Sequence, residues 1–141
     1  MAGSNEKIVI APGPVHVHRS LRDAVRPMHH RSPPFRKIVR ETESMIAGLL
    51  ETESPVYTLT ASGSGAMEAV VANLTSPADR VLIVSGGKFG DRWGEIFQAY
   101  GCRSETLQFE PGEAIDIAAV AEAARAGKPD ILACTHVESS T

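Results

Sequence analysis

From residue 56 onward, the chain alternates between two hydrophobic patterns. Short runs of β-branched and aliphatic residues predict strands over 56–60, 80–84, 103–107 and 130–135. Between them, apolar residues recur at three- and four-residue spacing and predict helices over 65–73, 91–100 and 117–126, with Asp116 as a cap for the last. Upstream, Ile38, Thr42, Met45, Ile46 and Leu49 fall on one helical stripe, while Arg36, Lys37, Arg40, Glu41 and Glu43 lie mostly elsewhere. This predicts a helix over 35–50, with Ser32 able to cap it and Pro33 and Pro34 tolerated at its start. Residues 21–25 suit a short helix. Strand–helix alternation of this kind predicts an α/β fold with a mostly parallel sheet flanked by helices.

The interruptions are as informative as the runs. Ile8-Val9-Ile10 is stopped by Ala11-Pro12-Gly13-Pro14, a shaped bend in which proline fixes φ on either side of a free glycine. Residues 26–34 are basic and proline-rich, which predicts an extended loop. Residues 76–79 and 108–113 read as turns, and 86–90 as a loop.

Composition narrows the function classes. The 141 residues carry a net charge of −3, so no basic footprint points to nucleic acid. No apolar run approaches a membrane span, and the first ten residues lack the apolar region of a signal peptide. A soluble, cytoplasmic protein is expected. Cys102 and Cys134 are too few and too far apart for a zinc site or disulfide framework, and both are expected to be buried thiols. His16 and His18 alternate, but no neighbouring Cys, Asp or Glu completes a ligand set, so no metal is expected.

In a parallel sheet the loops after the strands share one edge, where ligands bind. Three such loops carry chemistry. Residues 58–70 run from strand to Gly/Ser turn to helix, an arrangement whose free amides and dipole suit an anion such as a phosphate. Ser62 and Ser64 add hydroxyls, although a plain turn with a serine cap has the same composition. The second loop places Phe89 between glycines, where its face is free to stack on a flat ring, with Trp93 as support or core. The third, 135–141, offers hydroxyls, the His136 imidazole and the Glu138 carboxylate. A phosphorylated aromatic cofactor fits this set.

Five segments, in this order, carry a more specific signal. They are Pro12-Gly13-Pro14, His30-Arg31-Ser32-Pro33-Pro34-Phe35, Ser62-Gly63-Ser64-Gly65-Ala66-Met67-Glu68-Ala69, Gly86-Gly87-Lys88-Phe89-Gly90-Asp91-Arg92-Trp93 and Thr135-His136-Val137-Glu138-Ser139-Ser140-Thr141. Together they resemble the class V, fold-type I aminotransferases, which use pyridoxal 5′-phosphate, and most closely the alanine–glyoxylate and serine–glyoxylate group. The resemblance implies the N-terminal half of the aspartate-aminotransferase-like large domain, with 1–34 as arm and substrate-side loops and 35–141 as the first part of the cofactor-binding domain. It implies cofactor contacts for Ser64, Gly65 and Ala66 at the phosphate, Phe89 on the ring and Ser139 beside it, with Gly13 bordering the substrate.

The resemblance also shows what is absent. The family's Schiff-base lysine, the aspartate at the pyridine nitrogen and the distal arginine all lie beyond the position matching Thr141. Lys7, Lys37, Lys88 and Lys128 are the lysines here, and none stands in the family's cofactor-lysine context. The expectation is therefore half of a transaminase with no catalytic residue of its own. It would move an amino group from a small amino acid to glyoxylate or another 2-oxo acid. As a naturally split subunit it would work only with a complementary chain bearing the lysine, as a dimer of such pairs; a chain truncated after 141 is the other arrangement left open. A non-catalytic pyridoxal-phosphate or phosphate-binding regulatory module, and half of a class V lyase or desulfurase-like enzyme, are the alternatives.

Overall fold

A computed structural model describes residues 9–141. They form two compact units that divide between Thr58 and Leu59. The first contains α1 (Arg19–Ala24) and α2 (Pro33–Leu49). α2 begins as the sequence predicts: the Ser32 hydroxyl accepts from the Phe35 amide at 3.4 Å, and prolines fill the first two helical positions, whose amides need no intrahelical acceptor. Its apolar stripe stays exposed at Ile38, Met45 and Leu49.

The second unit contains α3 (Gly63–Leu74), β1 (Arg80–Ser85), α4 (Lys88–Ala99), β2 (Arg103–Gln108), α5 (Ile117–Gly127) and β3 (Ile131–Cys134). The strands form one parallel sheet in the order β2-β1-β3. As the central strand, β1 is buried from Val81 to Ser85. Strand periodicity sends Val81 and Ile83 to one face, where they join Val71 of α3, Phe97 of α4, Cys102 and Ala133 in the core. Leu82 and Val84 take the opposite face, and Val84 there lines a groove with Ile117 and Val120 of α5. α5 is capped as expected, the Asp116 carboxylate accepting from the amides of Ala118 at 2.8 Å and Ala119 at 3.3 Å. At the start of β1, Asp130 Oδ2 accepts from the Arg80 amide at 3.0 Å and from its guanidinium at 3.3 Å.

Three expectations change. Residues 56–60 form no strand; a strand exists by virtue of a partner, and neither of the two ladders includes this run, leaving Tyr57 and Leu59 exposed. α4 starts inside the expected 86–90 loop, at Lys88, because its first amides find acceptors elsewhere in the chain. Cys102 is buried, but Cys134 is exposed, since it lies on an edge strand and faces away from the core.

α4 comes very close to the end of β1. Ser85 is fully buried; its hydroxyl donates to Asp91 Oδ1 at 2.6 Å and accepts from Gln108 Nε2 at 3.4 Å. A Cβ placed on Gly90 would lie 2.5 Å from Ser85 Oγ and 2.6 Å from its Cα, and the backbone atom cannot swing aside. Gly90→Ala should therefore destabilise the chain by ~1–3 kcal/mol or more, read as a lower urea midpoint.

Candidate functional site

The site is built from two helix N-termini and the loop that follows β3. Gly87, the cap residue of α4, has no side chain to receive the helix's first amides. The β3 loop supplies the acceptors. The Ser140 hydroxyl accepts from the Lys88 amide at 2.9 Å. Glu138 Oε2 accepts from the amides of Phe89 and Gly90, both at 3.1 Å. Its other oxygen accepts from Ser140 Oγ at 2.6 Å and Ser140 N at 3.2 Å, so one hydroxyl both donates to the carboxylate and caps the helix. A Cβ on Gly87 would lie 2.7 Å from Glu138 Cδ, so the carboxylate packs directly on glycine backbone. Burial alone would raise the Glu138 pKa, but the Ser140 hydroxyl and the amides of Gly90, Ser140 and Phe89 outweigh it and hold the group below the ordinary 4.5.

The N-terminus of α3 is served differently. The Ser62 hydroxyl accepts from the Gly65 amide at 3.3 Å, and the Ser62 carbonyl accepts from the Ala66 amide at 3.1 Å. The helix's first two amides, those of Gly63 and Ser64, have no intrahelical acceptor. Gly65 is required by packing, because a Cβ there would lie 2.9 Å from the Ala61 methyl.

Between these helix starts lies a cleft of about 300 Å³, lined from the second unit by Gly63, Met67, Phe89, Trp93, Cys134, Thr135, Val137 and Ser139. Phe89 presents a partly exposed ring, and Trp93 stands one turn behind it. The Thr135 hydroxyl oxygen is buried without a hydrogen-bond partner.

The structure thus brings Phe89 and Ser139 to one cleft, with Ser64, Gly65 and Ala66 in the helical turn that begins at its Gly63 wall. Gly13 lies in the first unit, exposed and outside this lining. Sequence reasoning missed the clamp made by Glu138 and Ser140, the orphaned hydroxyl of Thr135 and the place of Gly63. The glycine pair before α4 was the available signal, since a helix start with no local cap needs one from elsewhere.

No family model matches the chain. Among curated proteins it is 37% identical to the soluble hydrogenase small subunit of a Synechococcus strain, over 97% of this chain and 37% of that one. It is 33% identical to the (S)-ureidoglycine–glyoxylate transaminase of Bacillus subtilis, over 96% of this chain and 33% of that enzyme. Its fold matches the crystal structure of an alanine–glyoxylate aminotransferase from Nostoc sp. with a TM-score of 0.81 and 34% identity, over 91% of this chain and 35% of that one. By sequence and fold the chain is a relative of the class V aminotransferases, with the fold of part of their large domain. It spans about a third of the length of the relatives it matches.

The depressed Glu138 pKa fixes the sign of an acid effect. A folded value below the unfolded one gives a contribution that is complete above about pH 4.5 and lost as pH falls through the folded value. Asp130 acts in the same direction below its ordinary 3.8, lowered first by the Arg80 amide and then by its guanidinium. Urea midpoints measured from about pH 6 down to about pH 3 should fall less steeply in Glu138→Gln than in the wild type, with the Asp130 part of the slope retained.

Proposed function

We propose that this class V aminotransferase relative supplies the pyridoxal-phosphate cradle of a transaminase, and that the lysine anchoring the cofactor lies outside these 141 residues, on a complementary chain or further along the same one. The observation that carries the reading is the shared cleft: an aromatic face, a hydroxyl and a helix N-terminus with unengaged amides converge on it. The residues present fit the cofactor. The orphaned Thr135 hydroxyl marks a wall that lacks a polar partner, and the cleft offers a ring-sized apolar surface.

In this reading the phosphate sits at the start of α3, where Ser64 offers a free amide and the dipole favours negative charge. Gly65 lets the turn pack closely, and its amide and that of Ala66 join only by leaving Ser62. Phe89 stacks on one face of the ring, and the Ser139 hydroxyl binds beside it. Gly13 borders the substrate. When bound, the cofactor supplies the carbonyl that takes up the amino group and the ring that withdraws electrons. This chain's own residues bind it, orient it and cover one face from water.

The proposed reaction moves an amino group from a small amino acid to glyoxylate or another 2-oxo acid. The ureidoglycine–glyoxylate transaminase and the alanine–glyoxylate aminotransferase among its relatives support it; the lining of the cleft itself contains no lysine. Without the Schiff-base lysine the cleft has no anchor for the cofactor. Association is supported by the free edge of β3, beside a groove of about 500 Å³ lined by Leu132, Cys134, Ile117 and Val120. We place the assembly, a dimer of such pairs, in the cytoplasm, in keeping with the free thiols of Cys102 and Cys134. No helix among the described residues is long and apolar enough to cross a membrane.

Trp93 is the chain's single tryptophan and lines the cleft, so its fluorescence reports occupancy. Pyridoxal phosphate should quench it, and Phe89→Ala should weaken binding roughly two- to tenfold, the equivalent of ~0.5–1.5 kcal/mol for an aromatic stack. Absence of quenching, alone or with the complementary chain, refutes the cradle. Binding in the assembled pair without any turnover of alanine or serine with glyoxylate would leave a non-catalytic binding module.

A further inference from the structure

We propose that Glu138 is a positioning residue for the ring of Phe89, fixing it in the cleft it shares with Ser139 by clamping the start of α4; this rests on the cofactor reading of the cleft. Phe89 occupies the second position of a helix whose cap residue offers no side chain. Its backbone direction is therefore set by whatever receives the first amides. One carboxylate oxygen receives those of Phe89 and Gly90, and the other holds the Ser140 hydroxyl that receives that of Lys88. Ser139 lies between Glu138 and Ser140 in the chain, so the same clamp fixes both walls of the cleft. A ring that is partly exposed lacks the packing that would otherwise hold it, and the backbone clamp substitutes for that packing.

The position of Glu138 makes its sign decisive. Glu138 does not line the cleft, but its chain neighbours Val137 and Ser139 do; a carboxylate near an anion site repels a phosphate, so a purely electrostatic role predicts tighter binding once the charge is removed. A positioning role predicts weaker binding of the ring. Glutamine keeps the size but loses the charge and one acceptor oxygen, and its amide N–H groups oppose the helix amides.

The test uses the full chain and Trp93 fluorescence with three probes: pyridoxal phosphate, pyridoxal without the phosphate, and inorganic phosphate as competitor. Glu138→Gln is expected to weaken pyridoxal and pyridoxal phosphate by roughly tenfold, the order expected when a hydrogen bond to a charged group is lost. Inorganic phosphate should compete as well as in the wild type, or better. Ser140→Ala keeps the charge but removes the Lys88 cap, and should weaken pyridoxal in the same direction by less; it carries the test if Glu138→Gln does not fold. Unchanged or tighter pyridoxal binding in a folded variant overturns the positioning role while the cradle stands. Parallel loss of pyridoxal and phosphate overturns it too, as the mark of a general loss of structure. A wild type that binds neither pyridoxal compound, alone or with the complementary chain, overturns the cradle and this inference with it.

Discussion

A helix that starts at glycine has no side chain of its own for its first amides, and α4 starts at Gly87. The third of them, that of the buried Gly90, lies in a partly buried bond, so leaving it unpaired would cost more than at a surface helix end. The chain solves this with a carboxylate and a hydroxyl from about fifty residues downstream, at the end of the third strand. The solution ties the β3 loop to α4, and Gly90 in turn presses α4 against Ser85 of β1. Sheet, helix and loop are therefore located by one set of contacts, and the cleft is what lies between them.

The two helix starts at this edge are made of similar residues and do different work. The dipole of α4 is already answered by an internal negative charge. That of α3 is answered only by the neutral Ser62, with two amides left over. An anion arriving here meets one occupied terminus and one open terminus. Length and residue type do not separate these cases; the source of the cap does.

What the sequence makes legible follows from this. Ser32 and Asp116 cap helices a few residues away, so α2 and α5 are readable where they begin. The apolar run of β1 is readable because the central strand is buried on both faces. Phe89 and Ser139 reach one cleft because parallel strands deliver their following loops to a common edge. The start of α4 is not readable, since its caps are remote in sequence. The pairing of 56–60 is not readable either: composition expresses a taste for extended backbone, while a ladder requires a neighbour. Cys134 illustrates the same limit, because a cysteine in an apolar run looks alike on a central and an edge strand. At α3, the serines announce a helix start, but which amides Ser62 consumes is a matter of geometry.

Ser85 has a further consequence. β1 reads Arg-Val-Leu-Ile-Val-Ser, and three of its four central residues are β-branched, so its apolar side chains alone distinguish poorly between the two faces. A slip of one residue would exchange one aliphatic for another at little cost in the middle. At the end it would carry a hydroxyl that is held by Asp91 and Gln108 away from both, and would strand Gly90 opposite a bulkier side chain. A single polar group thus serves as an index pin for an otherwise ambiguous strand.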